Sequence, residues 1–170
     1  MFVVDTNILL YAADSDAQEH AKSREILLKW RAHKTPWYLT WGIVYEFLRV
    51  ATHPNVFRKP FSTTDAWRFL EALLISPSVS MLIETERHRH VMKEVFAEIP
   101  GINGNLVFDA HTAILMRENG VRTIYTRDTD FNRFHFLDVI DPITEHRRIT
   151  ASRYSAFNKK KRNEKPVNEP

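Results

Sequence analysis

Short apolar runs, each followed by a stretch with helical spacing, constrain this chain more than any other feature. The first run is Phe2-Val3-Val4, and it leads directly into Asp5. Uninterrupted apolar runs of this kind read as strands buried on both faces, as in a parallel sheet. Trp37-Tyr38-Leu39-Thr40, residues 79–83, Thr123-Ile124-Tyr125 and Leu137-Asp138-Val139-Ile140 read as further short strands. Helical patterns over 17–32, 41–52, 62–74, 86–99 and 106–119 fill the intervals. Helices alternating with apolar strands predict a three-layer α/β/α fold with a mostly parallel central sheet.

Local signals mark the boundaries. Thr35-Pro36 and His53-Pro54 end two of the helices, because the residue before a proline is driven out of the helical region. Ser62 and Asp65 have the spacing of a capping box, with Asp in place of the usual Glu. Behind them Ala66, Phe69, Leu70, Leu73 and Leu74 form one apolar face. Pro100-Gly101 and Gly120 fit helix stops. Residues 151–170 lack periodic apolar positions, so a disordered tail is expected there. The expected organisation is one compact domain over residues 1–146 and a basic tail over 147–170.

Composition narrows the chemistry. The chain has 170 residues and no cysteine, which removes thiol nucleophiles, disulfides and Cys-zinc sites, so any metal must be held by oxygen or histidine. There is no run long enough to cross a bilayer and no basic-then-apolar leader pattern at the start. A cytoplasmic protein without membrane association is the expectation. Net charge is +3, but residues 147–170 carry eight basic side chains against two acids, so the first 146 residues are mildly acidic at −3. The positive charge is therefore a property of the tail, and it says little about what the domain binds.

Four acids stand where apolar sequence or a strand end gives them no obvious structural excuse. Asp5 ends the first strand. Glu46 sits inside Val44-Tyr45-Glu46-Phe47-Leu48, and Asp109 inside Leu106-Val107-Phe108-Asp109-Ala110. Asp128 follows Ile124-Tyr125-Thr126, with Asp130 two residues later. Each has an ordinary explanation. Asp5 could cap the next helix, Asp109 could favour a helix N-terminus, Glu46 could pair with Arg49 at i,i+3, and Asp128 and Asp130 could form turns. Together they point further. Buried like charges repel and raise one another's pKa unless a cation lies among them. Oxygen ligands without cysteine suit Mg²⁺ or Mn²⁺. Such ions activate water and stabilise charge on a phosphoryl group, so metal-dependent phosphoester chemistry is the reading from the residues alone.

The chain also resembles the PIN-domain nucleases, and among them the VapC-type toxins of bacterial toxin–antitoxin pairs. The resemblance rests on Val4-Asp5-Thr6-Asn7 with Tyr11, on Glu46-Phe47-Leu48-Arg49 with Thr52-His53-Pro54, on Gly104-Asn105-Leu106-Val107-Phe108-Asp109-Ala110-His111, and on Thr126-Arg127-Asp128-Thr129-Asp130-Phe131. These blocks fall in the family's order across residues 1–142. The resemblance implies that Asp5, Glu46, Asp109 and Asp128 hold Mg²⁺ or Mn²⁺, with Asp130 acting through water and Asn7 and Thr126 beside the metal. It implies an endoribonuclease that cleaves structured RNA, a small antitoxin that covers the acidic site, and a homodimer. Basic residues must then position the RNA backbone, and Arg49, Arg127, Arg58 and Lys59 are the candidates. His111 lies two residues beyond Asp109 and is expected to support the site rather than act as general base. Two other readings remain. A haloacid-dehalogenase-like phosphatase also opens with a strand ending in Asp, but it expects a second Asp where this chain has Asn7. A catalytically silent PIN-like module would bind RNA or protein without cleavage.

Overall fold

In a computed structural model of the protein, residues 1–144 are described. Their order is β1 (Phe2–Val4), α1 (Thr6–Ala13), α2 (His20–Arg31), β2 (Trp37–Thr40), α3 (Trp41–Ala51), α4 (Thr63–Leu74), β3 (Val79–Leu82), α5 (His88–Glu98), α6 (Leu106–Glu118), β4 (Thr123–Tyr125), a 3₁₀ turn (Asp130–Arg133) and β5 (Asp138–Ile140). The expected basic tail over 147–170 lies outside the described residues.

The five strands form one sheet in the order β3-β2-β1-β4-β5, and every pairing is parallel. β1 is central. Val3 and Val4 point to opposite faces, and both are fully buried, so helices must cover the sheet on both sides. That is the three-layer arrangement the alternating pattern predicts. Trp37, Leu39, Phe47, Leu70, Ile114, Leu115 and Ile124 fill the core around it.

The strand order has a consequence for function. From β1 the chain moves outward through β2 to β3, then returns to the other side of β1 for β4 and β5. The connections therefore diverge between β1 and β4, and a crevice opens at the carboxyl ends of those two strands. Asp5 follows β1 there, and Thr126 and Asp128 follow β4.

The helix ends are set by the polar residues next to them. Thr40 caps α3, its hydroxyl accepting from the Ile43 amide at 3.1 Å. Ser62 caps α4 through the Asp65 amide at 3.1 Å. The Ser62 hydroxyl also donates to the Asp65 carboxylate at 2.6 Å. The shorter Asp thus closes on the cap's side chain, whereas a longer Glu would reach back to its backbone. Gly120 takes φ +70°, and the Val121 amide bonds Met116 at 2.8 Å, which closes α6 in the manner that only a residue free to enter the left-handed region does easily.

Candidate active site

Asp5 is the anchor of the crevice. It is only 7% exposed. One carboxylate oxygen accepts the Thr6 amide at 2.7 Å, which makes Asp5 the N-cap of α1. The other accepts Asn7 Nδ2 at 2.6 Å and Thr126 Oγ1 at 2.6 Å. Asp5 therefore does more than cap the helix: one oxygen serves α1 and the other accepts from Asn7 and from Thr126 beyond β4.

Thr126 is the hub between the strands. It is fully buried, and its hydroxyl donates to Asp5 while accepting Asn7 Nδ2 at 2.8 Å and the Asp128 amide at 2.8 Å. The side-chain oxygen of Asn7 accepts the Arg127 amide at 3.3 Å. Asn7 thereby spans both strand ends and fixes the loop that carries Asp128. In turn Asp128 accepts the Asp130 amide at 2.8 Å, which folds the second acid back beside the first.

Two helices bring the remaining acids. Glu46 projects from the middle of α3, and Asp109 from the first turn of α6. Asp5, Glu46, Asp109, Asp128 and Asp130 all line a single cleft of about 760 Å³. Asp109, Asp128 and Asp130 each offer an oxygen within 4.8 Å of the others.

The sequence pattern suggested that Glu46 would be buried, but it is exposed to the cleft. Its apolar neighbours Val44 and Phe47 face the core on the other side of the helix. Thr6 Oγ1 donates to Glu46 at 2.8 Å, a link between α1 and α3 that a pairing across 40 residues left invisible in the sequence.

Electrostatics separates two of the acids from ordinary surface carboxylates. Burial drives the Asp5 carboxyl from 3.8 up to about 7, against the opposing effect of the hydrogen bonds from Thr126 and Thr6, and the Glu46 and Asp128 charges push the same way. Asp109 is also raised to about 7, first by burial and then by the charges of Asp128, Asp5, Glu46 and Asp130. Burial, with the neighbouring like charges adding to it, raises both carboxyls, and a cation among them would favour their ionised forms. An oxygen-only donor set around one cleft fits a hard divalent cation, and binding such a cation would relieve the repulsion.

The basic candidates divide. Arg49 lies at the cleft, 3.6 Å from Glu46 in an open i,i+3 pair. An exposed pair of this kind holds its members weakly, so Arg49 can turn to another anion. Arg127 is a correction. Its guanidinium binds Glu19 and Asp141, and it lies over the Tyr11 ring at 5.8 Å. That side chain clamps the β4 loop to the α2 entrance and the end of β5, and it does not line the acidic cleft. Arg58 and Lys59 line a different hollow with Asp14 and Asp16. His111 does line the cleft. Its Nε2 sits 3.2 Å from Glu84, and its ring packs edge-on against His88 at 5.7 Å.

A family model described as "PIN domain" matches residues 2–137. The chain is 36% identical over 137 residues to "VapC ribonuclease Mb2897" of Mycobacterium bovis, covering 81% of this chain and 92% of that one. "Ribonuclease VapC48" of Mycobacterium tuberculosis is 31% identical over 140 residues, covering 82% and 96%. Among solved structures, VapBC2 from Rickettsia felis, bound to a DNA fragment from its promoter, has a TM-score of 0.56 at 17% identity, covering 81% of this chain and 96% of that one. VapC20 of M. tuberculosis, described as a sarcin–ricin loop cleaving toxin, has a TM-score of 0.55 at 18% identity, covering 77% and 92%. With the match spanning nearly the whole described domain, this chain belongs to the PIN-domain family and is similar within it to the VapC ribonucleases.

Proposed function

We propose that the protein is a metal-dependent endoribonuclease toxin that hydrolyses phosphodiester bonds in structured RNA and is held inactive by a cognate antitoxin. The observation that carries this reading is the convergence of five acids from four segments on one cleft, two of them raised to about 7 by burial and, after it, by the charges of their acidic neighbours. Asp5, Glu46, Asp109 and Asp128 are assigned to hold Mg²⁺ or Mn²⁺, and Asp130 to act through water. A divalent cation there would polarise an attacking water and offset charge on the phosphate and the leaving oxygen.

The chain's own residues do the rest. Asn7 and Thr126 fix the Asp5 carboxylate and the Asp128 loop relative to one another. Without a cation the acids repel a polyanion, so binding of RNA and of metal must be coupled. Arg49 is the side chain at the cleft suited to meet a backbone phosphate. In the reaction, water supplies an oxygen to phosphorus as one P–O ester bond breaks.

The names of the similar proteins support a ribonuclease, and the VapBC2 structure supports an antitoxin partner; that the partner covers the cleft with a basic residue is what the family resemblance implies. A homodimer is the assembly expected by resemblance, and sedimentation of the purified chain measures it. The decisive experiment compares wild type with Asp5→Asn. RNA ends are mapped after brief expression in cells, and cleavage of isolated RNA is measured with Mg²⁺ or Mn²⁺ and with chelator. New ends should appear only with wild type and only with metal. A folded Asp5→Asn protein that cleaves at the wild-type rate would overturn the assignment.

A further inference from the structure

The mouth of the acidic cleft carries aromatic side chains that the fold does not use. Tyr45 is 68% exposed and Phe108 is 70% exposed. Both line the same cleft as the acids. Each stands directly before a cleft acid in sequence, Tyr45 before Glu46 on α3 and Phe108 before Asp109 on α6. Consecutive helix positions lie about 100° apart, so each helix turns an acid into the cleft and holds an aromatic ring at its margin. Trp41, one turn before Tyr45 and also exposed, packs against it with centroids 6.3 Å apart at 40°. The α3 side therefore carries a two-ring surface of Trp41 and Tyr45, and Phe108 on α6 lines the same cleft as Tyr45.

We propose that Tyr45, backed by Trp41, and Phe108 are stacking platforms for unpaired nucleobases of the RNA on either side of the phosphate held in the cleft. This rests on the ribonuclease reading above and narrows its substrate class to single-stranded or extruded nucleotides. In RNA, the groups next to a bound phosphate are the ribose and base. A base offers a flat face that stacks on an aromatic ring whatever its sequence. A cognate antitoxin covering the cleft would meet the same rings, which alternate with Glu46, Arg49 and Asp109; the stacking role concerns the protein without that partner bound, which is the state the binding test uses.

The test measures equilibrium binding of the full-length protein in Ca²⁺, a cation that takes oxygen ligands. Two strands are compared: a short degenerate single-stranded RNA and an abasic ribose-phosphate strand of equal length. The variants are Tyr45→Leu, Phe108→Leu and Tyr45→Phe, all at exposed positions. Wild type should prefer the base-bearing strand. Each Leu variant should bind that strand about 5- to 150-fold more weakly, the range for losing one base–aromatic stack, and should bind the abasic strand as wild type does. Tyr45→Phe should retain wild-type affinity. Equal binding of the two strands by wild type, or unchanged affinity of both Leu variants, would overturn the proposal. So would a change in sedimenting mass in either Leu variant, which would assign these rings to a contact between subunits. Failure of the ribonuclease reading is a separate result: wild type that prefers the base-bearing strand but cuts no RNA in Mg²⁺ or Mn²⁺.

Discussion

Removing the charge of Asp109 should stabilise the metal-free protein, and the size and pH dependence of the effect follow from its position. Its carboxyl titrates near 7 in the folded state against an ordinary value of 3.8. That rise corresponds to roughly 4 kcal/mol if fully expressed. Asp109 is partly open to the cleft, and solvent screening reduces the expected figure to about 1–2 kcal/mol. The folded state holds this proton more tightly than the unfolded chain does. The penalty from ionising Asp109 is therefore complete above pH 7, shrinks as pH falls through the folded value, and vanishes below about 4. Asp109→Asn should raise the melting temperature in chelator at pH 8 by about 3–8 °C. The advantage should be smaller at pH 6 and smaller again at pH 5. Adding Mg²⁺ or Mn²⁺ at pH 8 should narrow or reverse the difference, since a ligand that binds only the folded state stabilises whichever protein binds it better. Thermal unfolding followed by circular dichroism measures all of this. A lower melting temperature for Asp109→Asn in chelator at pH 8, or a gain that does not change with pH, would refute the electrostatic account of the cleft.

Asp5→Asn should behave differently although its carboxyl is raised to the same value. Its carboxylate accepts three hydrogen bonds, and an amide turns one donor toward donors, so the same assay should show no gain or a loss of about 1–3 kcal/mol. Thr126→Val keeps the shape of a fully buried residue and removes the hydroxyl that links Asp5, Asn7 and the Asp128 amide. It should destabilise by about 1–3 kcal/mol in denaturant titrations and weaken divalent-cation binding, read by calorimetry, by about 10- to 100-fold, as expected for loss of a group supporting metal ligands. Arg127→Met removes the clamp to Glu19 and Asp141. It leaves a nearly buried Asp141 without that partner, and it should lower stability by about 1–3 kcal/mol while RNA affinity changes less than twofold, measured by filter binding. A large loss of RNA affinity in a stable Arg127→Met protein would return Arg127 to the substrate.

The acids were legible in the sequence because charge at the end of an apolar strand is rare without a reason. Asp5 and Asp128 could be placed beyond strand ends, and the parallel sheet that puts those ends together could be inferred from the apolar runs. The strand order could not, since nothing local encodes that β4 returns beside β1. Arg127 was misread for a related cause. Its position between Thr126 and Asp128 suggested the site, but its partners come from Glu19 and Asp141, 108 and 14 residues away. Glu46 was expected inside because its neighbours are apolar. On a helix, neighbours in sequence face different directions, and the apolar ones took the core. The exposure of Tyr45 and Phe108 was equally hidden, since an aromatic in an apolar segment reads as core until the helix's orientation is known.

The bond between Asp5 and Thr126 joins residues 121 positions apart. A nascent chain that has been made through α6 already contains Asp5, Glu46 and Asp109 but has neither the hydroxyl that orients Asp5 nor the loop of Asp128. β4 is the fourth strand synthesised, yet it docks against the first. The centre is therefore assembled by one of the longest-range contacts in the domain, late in synthesis, and incomplete chains released early lack it. The same topology sets the entropic barrier to folding, since long loops must close before their contacts contribute.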